Sequence, residues 1–278
     1  MFKQFLLFVL MVISTNKYLA AQELYVYSEP ASNMPTNAIA LRLGNEGSFK
    51  PDFKSRTNFE VMLGVHKNFM IHAQSFMSDM DGKYRLEGGS FYAKYRFLSL
   101  DEAQSHFRAA AFARISTSKR DVISEDINLE GDNSGWQGGF VFTQLIHKLA
   151  VSATLGYSKV FENDKQITSI HPMGGIKTPN EMLNYSLSSG YLLLPFVYKN
   201  YSQPNFNLYF EVLGKTNPVN GRSYIDFAPA AQLILNSKTR IDLGYRFQVA
   251  GNMPNRYSKN MYLVRAEFNF FNALSKKS

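Results

Sequence analysis

Catalysis and metal binding need particular side chains at particular spacings, and few such sets occur in this chain. It holds five histidines and no cysteine, which excludes thiolate nucleophiles and zinc–thiolate centres. A Ser–His pair working from one face of a strand needs its two members two residues apart. No histidine here has a serine at i+2: Ser105 and His106 are neighbours, and His72 and Ser75 are three apart, so each pair points to opposite faces. Asp79 and Asp81 flank Met80 with no histidine near them in sequence. Asp126, Asn128, Glu130, Gly131 and Asp132 follow the first half of a calcium-loop pattern, but its last ligand position holds Gln137 rather than Glu. The run therefore reads as a solvated acidic loop. His171 and Met173 share the segment IHPMGG, which without cysteine makes no soft-metal site. Gly-rich phosphate loops are absent, and Gly88-Gly89 and Gly138-Gly139 read as relief of crowding or strand bends. No catalytic set, metal or cofactor is expected.

What remains is a series of charged residues recurring at alternate positions within apolar runs. They are Arg42, Glu60, Lys94, Arg96, Arg108, Arg114, Glu211, Asp226, Asp242, Arg246, Arg265 and Glu267. Both signs are present. Such a face can do electrostatic work in two ways: it can close on itself as ion pairs, or it can line a path for a polar solute.

The elements that must position these groups are strands. In Asn260–Phe271 (NMYLVRAEFNFF), Tyr262, Val264, Ala266, Phe268 and Phe270 alternate with Arg265, Glu267 and Asn269, with Leu263 an apolar exception on the charged side. A period of two means a β-strand. A soluble strand averages about 5–6 residues, whereas a tilted strand crossing a bilayer needs about 9–11. Similar alternation covers about 37–44, 58–66, 69–77, 89–97, 106–116, 135–146, 149–161, 182–197, 205–213, 224–235 and 239–249. Pro229 cannot donate to a ladder and predicts a bulge in the tenth of these.

The connections sort by length. Those after even-numbered strands are HKN, SLDEAQS, HK, a stretch around KNYSQP, and NSK. Those after odd-numbered strands are longer than most of these: 45–57, 78–88, 117–134, 162–181, 214–223 and 251–259. Short turns at one end and long loops at the other are the habit of a transmembrane β-barrel. Phe69, Tyr95, Phe97 and Phe107 gather near one set of strand ends, and Phe59, Phe91, Trp136 and Tyr185 near the other, as interfacial girdles would. The expected fold is all-β: a single closed up-and-down antiparallel barrel of about twelve strands over residues 37–271, with lipid outside and a polar lumen.

Bulk properties agree. The chain has 278 residues, a formal charge of +8, and 23 Phe and 16 Tyr against one Trp. Mean hydropathy is −0.22, a value that alternating strands permit because their lipid-facing half is hidden in the average. No basic block suggests nucleic acid. Residues 1–21 read as a cleaved export signal: Lys3, then the apolar core Phe5–Ile13, then Ala20 and Ala21 before Gln22. Residues 22–36 form a polar lead placed on the periplasmic side, and 272–278 a short polar tail.

The segments YLVRAEFNFF, YAKYRFLSL and HKLAVSATLGY, with the lead EPASNMPTNAIALRLG, resemble those of small porin-like outer-membrane β-barrel proteins of Gram-negative bacteria. The resemblance implies residence among outer-membrane lipids. It also implies a last strand, ending on Phe270 and Phe271, similar to the signal read by the barrel-insertion machinery. Two functions follow as expectations: a channel for small hydrophilic solutes or ions, or a structural barrel with a sealed lumen and working external loops. The large inward residues Tyr92, Phe112 and Tyr209 favour sealing. With a turn centred near Asp101 and Glu102, Arg96 should face Arg108, and Lys94 and Arg114 should add positive charge to the same wall.

Overall fold

The alternation of apolar and polar residues is realised as twelve antiparallel strands. They are β1 (Ile39–Ser48), β2 (Lys54–His66), β3 (Phe69–Ser78), β4 (Arg85–Glu102), β5 (Ser105–Ser118), β6 (Gly135–Ile146), β7 (Leu149–Val160), β8 (Glu181–Leu194), β9 (Asn205–Thr216), β10 (Ser223–Leu235), β11 (Thr239–Gly251) and β12 (Asn260–Phe270). This computed structural model describes residues 25–49, 53–79, 82–102, 105–120, 124–161, 180–197, 202–254 and 256–274. The expected signal, the His171–Met173 segment, Asp81 and the end of the tail lie outside the described residues. Each strand pairs with its sequence neighbours, and β12 returns to β1 from Ile39↔Phe270 to Gly47↔Tyr262, closing the barrel. Closure leaves no edge strand, so the backbone groups of every strand are satisfied within the sheet, as a structure in hydrocarbon requires.

The two faces divide as the period predicts. Phe91, Phe140, Leu155, Leu243 and Phe268 point outward, each about half exposed. Together with many similar residues they form a continuous apolar surface that belongs against lipid. Of the eight aromatics of the expected girdles, Tyr95, Phe97, Phe59, Phe91, Trp136 and Tyr185 are outward and exposed, while Phe69 and Phe107 are half-buried. Inward positions are buried, and many are charged.

At one end, the turn end, β2–β3, β4–β5, β6–β7 and β10–β11 are joined by 67–68, 103–104, 147–148 and 236–238. The β8–β9 connection, 195–204, is the long exception. The other end, the loop end, carries 49–53, 79–84, 119–134, 161–180, 217–222 and 252–259. Several of these are shorter than the sequence suggested because the strands run on. β1 continues to Ser48 and β2 begins at Lys54, while β4 covers Arg85–Glu102 rather than 89–97. β8 stops at Leu194, before Val197.

Three expectations are corrected. Pro229 does not shift the register, which is the same at Phe227↔Phe247 and at Ala230↔Gly244; the β10 bulge lies instead at Ile225/Asp226. Arg96 does not face Arg108. A bulge between Arg96 and Leu98 and the longer β4–β5 hairpin set Arg96 opposite Ala110 and Arg108 opposite Ser99. The polar lead, expected on the periplasmic side ahead of the barrel, is from Tyr25 onward packed inside the lumen before it enters β1.

Inside the barrel the lead supplies part of the core. Tyr25 and Val26 pack with Leu145, Ala150, Tyr209, Ala230 and Leu263, and Ala31 packs with Ala110 and Val141. Two wall glycines make room. A Cβ at Gly190 would sit 2.4 Å from the Tyr209 ring, and one at Gly244 would sit 2.6 Å from the Tyr27 hydroxyl. At the loop end a second apolar group gathers Ile127 and Leu129 of the β5–β6 connection with Met182, Tyr224 and Met253.

Candidate functional site

A peptide segment crossing a barrel must find partners for its backbone, because its groups lie away from bulk water. Glu211, inward on β9, meets most of this need. Its carboxylate accepts the N–H of Val26 at 3.0 Å, of Tyr27 at 2.8 Å and of Ser28 at 2.9 Å, and the Ser188 hydroxyl at 2.9 Å. Thr143 on β6 accepts the Ala31 N–H at 2.8 Å. Lys94 on β4 donates to the Pro30 carbonyl at 2.6 Å, and Arg265 on β12 donates to the Tyr25 carbonyl at 3.1 Å. Residues chosen from the sequence as lumen-lining charges thus hold the lead.

Below and beside the lead the charges form one network. Arg42 bridges Glu29 of the lead at 3.2 Å, Glu60 at 2.9 Å and Glu267 at 2.8 Å. Glu60 also meets His72 Nδ1 at 2.8 Å. Arg240 reaches Glu267 at 2.6 Å and Asp242 at 3.5 Å; Asp242 in turn takes Arg265 at 2.6 Å and Gln232 at 2.8 Å. Every carboxylate here is held by at least one base, the condition for keeping charge in a confined lumen.

Arg96 and Arg108 do not belong to this network. Arg96 donates to the Lys67 carbonyl at 2.9 Å at the rim of the turn end. Arg108 pairs with Asp101 at 2.9 Å and touches Ser32 of the lead at 2.9 Å. Arg114 pairs with Glu130 and lies over the Tyr92 ring at 5.3 Å. Of the wall of like charge expected on β4 and β5, Arg108, Arg114 and Lys94 each have an acid nearby, Lys94 having Glu29 at 3.7 Å, while Arg96 is held by neutral acceptors.

The β5–β6 connection is not the solvated acidic loop that its composition suggested. It folds into the loop end of the lumen, and each of the four acids among its described residues meets a base. Glu125 binds Arg222 at 2.6 Å, and Asp126 binds Lys215 at 2.8 Å and accepts the Tyr224 hydroxyl at 2.9 Å. Glu130 meets Arg114, and Asp132 meets both Arg56 and Arg120. Burial alone would raise the Asp126 carboxyl, but the Lys215 ammonium outweighs it and holds the group below the usual carboxylate range. Asp226 receives Arg256 at 2.7 Å and Arg246 at 3.5 Å.

Between the lead and this loop lies a cavity of about 240 Å³, lined among others by Tyr27, Glu29, Tyr92, Phe112, Arg114 and Arg246. A second of about 100 Å³ shares Tyr27, Glu29 and Arg114 with it and is bounded by Arg42, Asn58 and Glu60. Tyr27 Oη, Thr154 Oγ1 and Asn58 Oδ1 are buried polar atoms of their walls with no protein hydrogen-bond partner among the described residues. Cavities of this polarity take water or a polar solute. Among the described residues no group of three or more His, Asp or Glu is arranged to hold a metal ion. His72 and Ser75 do fall on opposite sides of β3, His72 against Glu60 and Ser75 opposite the outward Phe59.

Glu29, Glu46, Arg56 and Arg240 also belong to these clusters and were missed in the sequence. Arg240 was legible, since it shares the parity of Asp242. Glu46 and Arg56 were not, because alternation fades where β1 and β2 rise beyond the lipid.

No family model matches the chain, and a search of curated proteins finds no match. Solved structures do match in fold. An outer membrane channel from Pseudomonas putida F1 is 13% identical with a TM-score of 0.58, over 88% of this chain and 100% of that one. The NanC porin is 13% identical with a TM-score of 0.50, over 83% and 98%. The KdgM porin is 9% identical with a TM-score of 0.48, over 84% and 99%. At 13% identity the likeness to the first two is one of fold: the chain has a porin-like barrel architecture.

Proposed function

We propose that the protein is an outer-membrane channel for small hydrophilic solutes or ions, held in a narrowed state by its own N-terminal lead and β5–β6 loop, with the turn end toward the periplasm. The observation that carries this reading is the polar chamber between lead and loop, with unpartnered buried oxygens and charges of both signs on its walls. A barrel serving only as a scaffold has no need of a hydratable chamber inside a charged wall. The fold it shares with known outer-membrane channels supports the same reading. The network through Arg42, Glu60, Asp242, Arg265 and Glu267 then serves both to hold the lead and to line the route.

A sealed barrel with working loops is the second reading, favoured by the apolar packing of Tyr25 and Val26 against Leu145, Tyr209 and Leu263. Planar-bilayer recording separates the two. The full-length protein should show small unitary currents, and deletion of residues 25–33 should raise them severalfold. Silence from both proteins, each verified as folded and inserted, would establish the sealed barrel.

A further inference from the structure

The β5–β6 loop has the composition of a ligand for the surface it covers. From Ser124 to Ser134 (SEDINLEGDNS) it contains four acids and no base. Those acids do not pair within the loop. Each reaches a base on another element or, for Arg120, at the far end of the connection. Arg222 precedes β10 and Lys215 lies on β9; Arg114 lies on β5 and Arg56 on β2. These bases surround the loop end of the lumen from several sides. Arg56 is almost fully buried and Arg114 largely so. Were the loop to leave, Arg114 would lose Glu130 and Lys215 would lose Asp126, while Arg56 would keep Glu46 at 3.2 Å; removing one partner of such a pair is unfavourable.

We infer that these basic residues form a binding site for a multiply charged anion, and that the loop occupies the site as an internal substitute. The occupant needs several anionic groups because the bases are spread over β2, β5, β9 and the β9–β10 connection; one carboxylate cannot serve them all. Ile127 and Leu129 anchor the loop among Met182, Tyr224 and Met253. An occupant that fully replaces the loop therefore carries apolar surface beside its anionic groups. Identification of that anion as cargo rests on the channel reading; binding does not.

Calorimetry on the detergent-solubilised full-length protein, with inorganic tripolyphosphate as the probe, tests the charge component alone. Neutralising the loop (Glu125→Gln, Asp126→Asn, Glu130→Gln, Asp132→Asn) removes the competitor, so the probe should bind at least tenfold more tightly than to the parent protein. Adding Arg114→Gln and Lys215→Gln should abolish that gain. Equal affinities in the first comparison, or a gain that survives the second, overturn the inference. Should the neutralised variant not fold, hydrogen exchange on the parent protein decides: the probe should raise exchange over residues 125–133. Absence of binding at millimolar probe, or binding without that rise, overturns it equally. A calorimetric gain in a protein that is silent in bilayers would reject the channel and leave the anion site standing.

Discussion

Glu211 is a single carboxylate that accepts three successive backbone N–H groups of the lead and a serine hydroxyl. Hydrogen bonds to a charged acceptor contribute about 1.5–3 kcal/mol each, and their loss leaves buried donors unpaired. Glu211→Leu should therefore free the start of the lead by roughly 3 kcal/mol, which is about a hundredfold in its opening equilibrium. Amide exchange at residues 26–28 should rise by that factor while the strands stay protected. Unchanged exchange would mean that the apolar contacts of Tyr25 and Val26 alone hold the segment. Other residues of the site act in groups: Arg42 joins three carboxylates from the lead, β2 and β12, so its removal would leave all three without that partner.

At the scale of elements, the strands were legible because lipid and lumen impose opposite demands on successive side chains. β6 reads in the sequence with the same bounds as in the structure, Gly135–Ile146. Leu155 shows what that face tolerates. It stands near the middle of β7, outward and 58% exposed. Leu155→Arg should destabilise the barrel by about 2–4 kcal/mol, the range for a cation at mid-bilayer on a lipid-facing position. Denaturant unfolding in lipid vesicles measures it; a variant as stable as the parent would mean that β7 does not face lipid there. Legibility failed where this opposition lapses. Beyond the lipid the outer face no longer needs apolar residues, so the extensions carrying Glu46 and Arg56 lose their pattern. The lead has no periodicity at all, and its place in the lumen was announced only indirectly. Leu263, an apolar residue on a charged face, is there because Tyr25 and Val26 pack against it. The Arg96/Leu98 bulge left no local mark, so charges assigned to one wall are separated in register.

The whole molecule is a closed ring of hydrogen-bonded strands with no free edge. Such a ring should resist detergent until heated: an unheated sample should run at a different apparent size from a boiled one, with β-dominated far-UV spectra before boiling. Identical migration under both conditions would contradict closure. The lead inside that ring also has a bearing on the order of assembly. Its contacts with Glu211 span up to 185 residues of chain. Its partner Arg265 lies on β12, the strand whose pairing with β1 completes the barrel. The lead therefore cannot seat fully until the last strand is in place, so the first segment of the barrel to be synthesised is among the last to find its place.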